Sequence, residues 1–168
     1  RTLMHHKRWA TMGLNSIIGE ARARIPSDDW MLVLMLLDHI QIVDDIFRHH
    51  LEGRPHCYSS VRSETLPSFE ALASNAGATA DWYVRYVDAL GPDRLDEQVS
   101  FNFINGQRAH MTRSQMLLHV ATHAAGHRGQ IALLLQKNGL APFSDRLTDF
   151  FDAQEAKRSN ALPSQVIP

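Results

Sequence analysis

Two histidines four residues apart are the part of this sequence best suited to chemistry. His123 and His127 lie within residues 116–135, where apolar residues recur at helical spacing. Residues four apart lie on the same helix face, one turn apart, so both imidazoles can bind one transition-metal ion. One helix face supplies only two ligands, and a third must come from another element. The candidate is His39, in the middle of a second, strongly apolar helix.

The surroundings of these histidines favour a metal site over ordinary structural roles. In a chain with ten histidines this spacing also arises by chance, and such residues can simply form hydrogen bonds or face water. The other residues on the face of His123 and His127 are apolar, however, and a buried polar group without a partner costs about 1–3 kcal/mol. A shared metal ion would satisfy both rings. Taken alone, His39 would more often be a hydrogen-bonded core residue. Three neutral imidazoles plus solvent form the open arrangement typical of catalytic metals.

Other polar residues near the three histidines have secondary roles in this interpretation. His119 lies one turn before His123, but each four-residue step rotates about 40° around the helix, so we expect His119 to pack or to support the site rather than to bind metal. Asp38 and Asp44 could orient an imidazole, although solvated acids are the favoured interpretation. The remaining histidines are expected at the surface: His5, His6, His49, His50, His56 and His110.

Several other kinds of active site are excluded or disfavoured. The absence of Glu-x-x-His disfavours a di-iron carboxylate bundle, and the absence of His-Glu-x-x-His disfavours a zincin protease. No glycine-rich phosphate loop is present. The single cysteine, Cys57, excludes an internal disulfide framework and a cysteine-based zinc site. Cys57 follows His56, but this pair lies in a predicted loop and lacks a third catalytic partner.

Composition points to one globular domain without a charged surface for nucleic acid. The chain has 168 residues, of which 44% are hydrophobic, with 17 basic and 18 acidic side chains and no basic stripe. The longest apolar run, residues 30–37, is too short to cross a bilayer, and no signal peptide is visible. We therefore expect a cytoplasmic protein that binds neither membrane nor nucleic acid.

The hydrophobic periodicity predicts four long helices and one short hairpin. The hairpin is expected over residues 98–110, because apolar and polar residues alternate there around an Asn105-Gly106 two-residue turn. A shorter helix or turn is expected at 144–156. The long helices are predicted at about residues 3–24, 27–51, 67–90 and 112–137.

These elements predict an all-α fold, a four-helix bundle with crossover connections and a short β-hairpin before the last long helix. The long segments after the second and third helices leave room for such crossovers. One bundle domain is expected over residues 1–157, followed by a flexible C-terminal tail at 158–168.

Three segments carry a resemblance to a known family. Residues 7–10 read Lys-Arg-Trp-Ala, and residues 35–40 read Met-Leu-Leu-Asp-His-Ile. The most specific segment, residues 117–131, reads Leu-Leu-His-Val-Ala-Thr-His-Ala-Ala-Gly-His-Arg-Gly-Gln-Ile and is followed by Leu-Ala-Pro at 140–142. Over about residues 3–151 the chain resembles the DinB/YfiT-like superfamily, which includes metal-dependent hydrolases and thiol S-transferases.

The resemblance implies a fold, a metal and a reaction class. Members are four-helix bundles with crossover connections that bind a divalent metal, zinc or nickel among others, through three histidines. Those positions match His39, His123 and His127. A further histidine that members often carry corresponds to Gly126 here, so any role it has is absent. Characterised relatives join low-molecular-weight thiols to electrophiles or catalyse thiol-dependent isomerisation, and homodimers are frequent.

Two functional hypotheses follow. In the first, the protein is a metal-dependent thiol S-transferase or related small-molecule enzyme, whose metal lowers the pKa of a bound thiol or water. In the second, it is a non-catalytic metal-binding stress or accessory protein. A pocket that opens onto the metal with room for a thiol would favour the first. A remote alternative to both is a scaffold whose histidines only pack, and such a protein would bind no metal. Three imidazoles alone suit zinc, nickel, copper or iron.

The residues that follow His127 have predicted structural roles. Arg128 is expected to form an ion pair. Gly129 would let a neighbouring helix approach closely. Gln130 is expected to form hydrogen bonds within the bundle.

Overall fold

The computed structural model describes residues 1–161 and is mostly helical, with one two-stranded antiparallel sheet before the last long helix, as predicted. Its elements are α1 Thr2–Ala21, α2 Ser27–Glu52, α3 Phe69–Ala89, β1 Gln98–Asn102, β2 Arg108–Thr112, α4 Arg113–Lys137 and α5 Leu147–Ala161, with short 3₁₀ turns at Arg22–Arg24 and Pro92–Arg94. Helix α5 continues into the predicted tail, and residues 162–168 of that tail lie outside the described residues. No helix within 1–161 has a stretch long and apolar enough to cross a membrane.

The helix ends follow local sequence signals. At the start of α3 the hydroxyl of Ser68 accepts a hydrogen bond from the backbone N–H of Ala71. At the start of α4, Thr112 and Gln115 form a capping box, in which each side chain accepts a hydrogen bond from the other's backbone N–H. Helix α2 ends at Gly53, whose φ of 68° is the left-handed conformation that favours glycine. The last two interactions fix where α4 begins and where α2 ends, and these two helices carry the three histidines.

Two apolar clusters define how the helices run. Helix α1 packs against α3 and α4, and α2 packs against the same two helices. One cluster joins the start of α1, the ends of α2 and α3 and the start of α4, with Met4, Phe47, Leu51, Tyr83, Val87, Met116 and Leu117. The other joins the opposite ends, with Leu14, Ile18, Val33, Leu37, Leu72, Ile131 and Leu135. Helices α2 and α3 therefore run in the same direction.

The segment between α2 and α3, residues 53–68, must return along the whole length of α2 because the two helices are parallel. Hydrogen bonds from two of its residues to carboxylates of α2 help to attach it to that helix. The hydroxyl of Tyr58 donates to Asp45 at 2.7 Å, and the backbone N–H and hydroxyl of Ser63 donate to Asp38 at 2.9 and 2.7 Å. We call residues 53–68 the crossover segment.

The hairpin packs on the end of α2. Strands β1 and β2 pair with Phe101 opposite Ala109, and the Phe101 ring lies 5.9 Å from that of Phe47. The predicted two-residue turn is wrong, because the loop between the strands is one residue longer. The Phe103 N–H donates to the Gln107 carbonyl at 2.9 Å, which closes a three-residue loop in which Gly106 has a φ of 82°.

Two carboxylates expected in solvent are buried, which corrects the sequence prediction. Asp38 is 2% exposed and Asp44 is 3% exposed. Asp38 is satisfied by Ser63, and Asp44 forms an ion pair with Lys7, which is itself 2% exposed on α1. Both partners come from distant parts of the chain, so the spacing within α2 did not indicate them. Burial raises the pKa of Asp44, while Lys7 opposes that shift.

Replacing Lys7 should strongly destabilise the fold. Lys7→Ala leaves the Asp44 carboxylate buried without its partner, which costs about 3–5 kcal/mol. Urea denaturation followed by circular dichroism measures this loss. The matched control is Arg8→Ala, because Arg8 pairs with Asp81 where both side chains are more than 40% exposed, and such pairs contribute at most about 1 kcal/mol. Equal losses in the two variants would contradict a stabilising role for the buried pair.

Candidate metal centre

The structure brings the three predicted histidines together between neighbouring helices. His39 lies in the middle of α2, and His123 and His127 lie one turn apart on α4. The Nε2 atoms of His39 and His123 are 3.1 Å apart, and one ring nitrogen from each of the three residues lies within 4.8 Å of the others. All three side chains are half-buried. Nitrogen donors this close can share one ion, whose bonds to imidazole are about 2.0–2.1 Å long.

Hydrogen bonds donated by Nδ1 set the tautomers of two of the imidazole rings. Nδ1 of His39 donates to the Val61 carbonyl at 2.9 Å, since a carbonyl can only accept. Nδ1 of His127 donates to Oε1 of Gln130 at 2.6 Å. In a neutral imidazole, a proton on Nδ1 leaves the lone pair on Nε2. The arrangement therefore fits a metal ion, because outer hydrogen bonds of this kind hold metal-binding histidines in place.

His123 is held in its neutral form. Burial lowers its pKa to about 3, and the neighbouring imidazoles of His127 and His39 add to the shift. Its Nδ1 atom is buried and has no hydrogen-bond partner within residues 1–161. A metal ligand must be unprotonated at the donor atom, so a ring that stays neutral at pH 7 is ready to bind without releasing a proton.

His119 supports the site by packing, as predicted. Its ring lies 4.6 Å from that of Phe47 and stacks on His123 at 5.6 Å, outside the group of three. Burial lowers its pKa. Neither Asp38 nor Asp44 bonds to a site imidazole, because each is occupied by the partner described above.

Comparison with known families agrees with this geometry. The sequence model of the DinB family matches residues 5–159, which include all three histidines. The chain belongs to the DinB family. No protein among those with curated descriptions matches the chain. The part of the chain that matches the family therefore contains the whole group of three imidazoles.

Two residues of this DinB protein that position the site were not assigned a role there from the sequence. Val61 acts through a backbone carbonyl brought from the crossover segment, and no side-chain signal could have indicated it. Gln130 forms the hydrogen bond expected within the bundle, and the partner from which its side chain accepts is His127. Its position three residues after His127 on one helix face was the available signal.

The predictions for the two residues between His127 and Gln130 had opposite outcomes. Arg128 forms the expected ion pair, 2.7 Å from Asp145, and is 4% exposed. The close approach expected at Gly129 is wrong, since a Cβ atom there would meet no other atom within 4 Å. The close approach occurs instead at Gly13 of α1, where a Cβ would collide with the Phe143 ring.

A pocket of about 370 Å³ opens onto the histidines of this DinB protein. His39 and His127 form part of its wall, together with Arg62 and Gln130. The rest is apolar and comes from α2 and α4: Leu32, Met35, Leu36, Leu133 and Leu134. We call this cavity the histidine pocket, and its volume is within the usual range for small-molecule sites.

A second, larger cavity of about 640 Å³ lies against α2, the crossover segment and the hairpin, and Val61 lines it. His50 also lines it, which corrects the expected surface position. The His50 ring stacks on Phe101 with centroids 4.4 Å apart, because the hairpin folds back over the end of α2. Burial lowers the pKa of His50 to about 4, and the nearby His56 and His49 add to the shift.

The buried His50 should make stability depend on pH. The pKa of His50 is about 4 in the fold and about 6.5 in an unfolded chain, so the unfolded state binds more protons between these values. His50 therefore lowers stability as pH falls from 6.5 towards 4, and His50→Phe should remove this contribution. Urea denaturation at several pH values measures it. The control is His110→Phe, at an exposed histidine of β2. A His50→Phe profile parallel to the parent's would contradict the shift.

Proposed function

We propose that this DinB-family protein is a metal-dependent enzyme that transfers a low-molecular-weight thiol to an electrophilic small molecule. In this proposal His39, His123 and His127 are the metal ligands. The observation that carries it is a close group of three imidazoles, two of which, His39 and His127, line a pocket large enough for a small molecule. A scaffold whose histidines only packed would not require a cavity beside His39 and His127.

His39, His123 and His127 would hold a divalent metal, zinc or nickel as the family resemblance implies, and that metal would lower the pKa of a bound thiol and so favour the thiolate nucleophile at neutral pH. The protein's own part is to hold the donor atoms. The Val61 carbonyl and the Gln130 amide oxygen keep the protons of His39 and His127 on Nδ1, so their Nε2 atoms can bind.

The charge balance of the site supports an anionic substrate atom. All three proposed ligands are neutral, and the lining of the histidine pocket contains no carboxylate. The charge of a divalent ion would therefore remain uncompensated by the protein, which favours a thiolate over a neutral ligand. In the transfer, the thiolate sulfur bonds to the electrophilic carbon as the leaving group departs with its electron pair, and the thiol proton passes to solvent.

The fold inferred with this function is a four-helix bundle with a crossover connection. The parallel course of α2 and α3, with the crossover segment between them, supports it. This topology places the crossover segment over the middle of α2, where His39 lies. The alternative function is a non-catalytic metal-binding stress or accessory protein, which would use the same histidines without turnover.

Metal content and thiol consumption, measured on the same preparations, test the proposal. The tag-free protein reconstituted with zinc or nickel should bind about one equivalent, the stoichiometry of a single three-histidine site. His39→Ala, His123→Ala and His127→Ala should each lose the metal while keeping their helical circular dichroism. The matched control is His110→Ala, which should bind like the parent.

Turnover separates the enzyme from the alternative. Cysteine, glutathione and coenzyme A are each offered with a chlorinated fluorogenic electrophile, and metal-loaded protein should accelerate thioether formation while the histidine variants do not. Bound metal without acceleration by any thiol would favour the non-catalytic protein. A parent chain that binds no metal would refute both.

A homodimer is the remaining part of the proposal, and it rests on the family resemblance. Large apolar side chains exposed on two neighbouring helices support it, including Met31 and Leu32 on α2 and Leu118 and Leu133 on α4. Light scattering coupled to size-exclusion chromatography should give twice the 19.0 kDa mass of the chain. The mass of a single chain over the micromolar range would rule out a stable dimer.

A further inference from the structure

We propose that the histidine pocket selects small carboxylic acids and that Arg62 is the residue that recognises their carboxylate. This inference rests on the proposed function and specifies its substrate class. One reactant, either the thiol or the electrophile, would carry a carboxylate on a short apolar body. Four features of the pocket lead to this assignment.

The first feature is the way Arg62 is held. Its two neighbours in the crossover segment are attached to two consecutive residues of α2. The Val61 carbonyl accepts from His39, and Ser63 donates twice to the buried Asp38. Arg62 lies between these attachments and is one of the residues that line the histidine pocket. The backbone at this position is therefore fixed close to the candidate metal centre.

The second feature is the free guanidinium group. Within residues 1–161 the Arg62 side chain forms no ion pair and no hydrogen bond, although Arg48, Arg113 and Arg128 each pair with a carboxylate. Its exposed position adds nothing to the packing of the core. An arginine fixed by its neighbours but without a partner is available to bind an anion, and a guanidinium matches a carboxylate with two parallel hydrogen bonds.

The third feature is a second donor in the same pocket. The Gln130 side-chain oxygen accepts from His127, so its amide nitrogen must supply any further contact as a donor. Among the described residues this nitrogen has no hydrogen-bond acceptor. Arg62 and Gln130 thus offer donors only, and no acidic side chain lines the pocket to compete for them.

The fourth feature is the apolar remainder of the wall. Leu36 and Leu134 are half-buried, and Leu32 and Leu133 extend the apolar surface towards solvent. Such a wall favours a hydrocarbon body and disfavours a highly polar ligand such as a sugar phosphate. A cation with a donor amide on an apolar wall therefore fits an amphipathic anion, and the pocket volume restricts it to a small molecule.

Binding of a matched pair of probes tests the assignment without turnover. Hexanoate and hexanamide have the same apolar body and differ in the charged group. Isothermal titration of the 168-residue chain, with and without zinc, should show hexanoate binding about fivefold more tightly than hexanamide, because a partly exposed ion pair contributes about 1 kcal/mol. Measuring metal-free protein as well separates Arg62 from direct binding of the carboxylate to the metal.

Arg62 variants decide the outcome. Arg62→Ala should abolish the preference for hexanoate in metal-free protein and leave hexanamide affinity unchanged, while Arg62→Lys should keep part of it. The control is Arg85→Ala, at an exposed arginine on α3 that lines no pocket described above. An unchanged preference in Arg62→Ala, or no preference in the parent chain, would overturn the proposal.

The two proposals can fail separately. If no thiol is consumed but the hexanoate preference depends on Arg62, the pocket selects carboxylates and the transferase function is wrong. If turnover is found, acidic and neutral thiols and acidic and neutral electrophiles identify the reactant with the carboxylate. Arg62→Ala should raise KM about fivefold for that reactant alone, with metal content unchanged. Equal effects on acidic and neutral substrates would contradict carboxylate recognition.

Discussion

The site depends on how the Nδ1–H groups of its histidines are satisfied. His39 and His127 each lie against apolar neighbours, where an unpaired N–H would be costly and the ring would be free to turn. The Val61 carbonyl and the Gln130 side chain remove that cost and leave both Nε2 atoms as lone-pair donors. Burial keeps His123 neutral without such a partner. The free Nε2 lone pairs of His39 and His127 therefore follow from these two hydrogen bonds, and the neutral state of His123 follows from burial.

The crossover segment is as important to the site as the helices that carry the three histidines. Because α2 and α3 are parallel, the chain must pass back along α2, and the passage is attached at Asp45, Asp38 and His39. Burying the carboxylate of Asp38 is tolerated because Ser63 supplies two donors. The same attachments divide the space beside α2 into the histidine pocket and the larger cavity, with Arg62 and Val61 on different sides.

A buried ion pair lies near the candidate metal centre. Lys7 and Asp44 join α1 to α2 in the core, and the Tyr83 hydroxyl donates to the Asp44 carbonyl at 2.7 Å. Such pairs contribute less to stability than apolar packing would, but they penalise any packing of the helices that separates the partners. The register of α1 against α2 is thereby restricted, and with it the position of His39 relative to α4.

Local patterns in the sequence determined the helices, the hairpin and the three histidines. Caps such as Thr112 with Gln115, and the turn spacing of His123 and His127, depend on hydrogen bonds and geometry within a few residues, so they can be read directly. Only the tertiary structure decided the burial of Asp38, the role of Val61, the place of His50 and the open space at Gly129. These features depend on segments far apart in the chain, because burial and distant partners arise only when the helices pack.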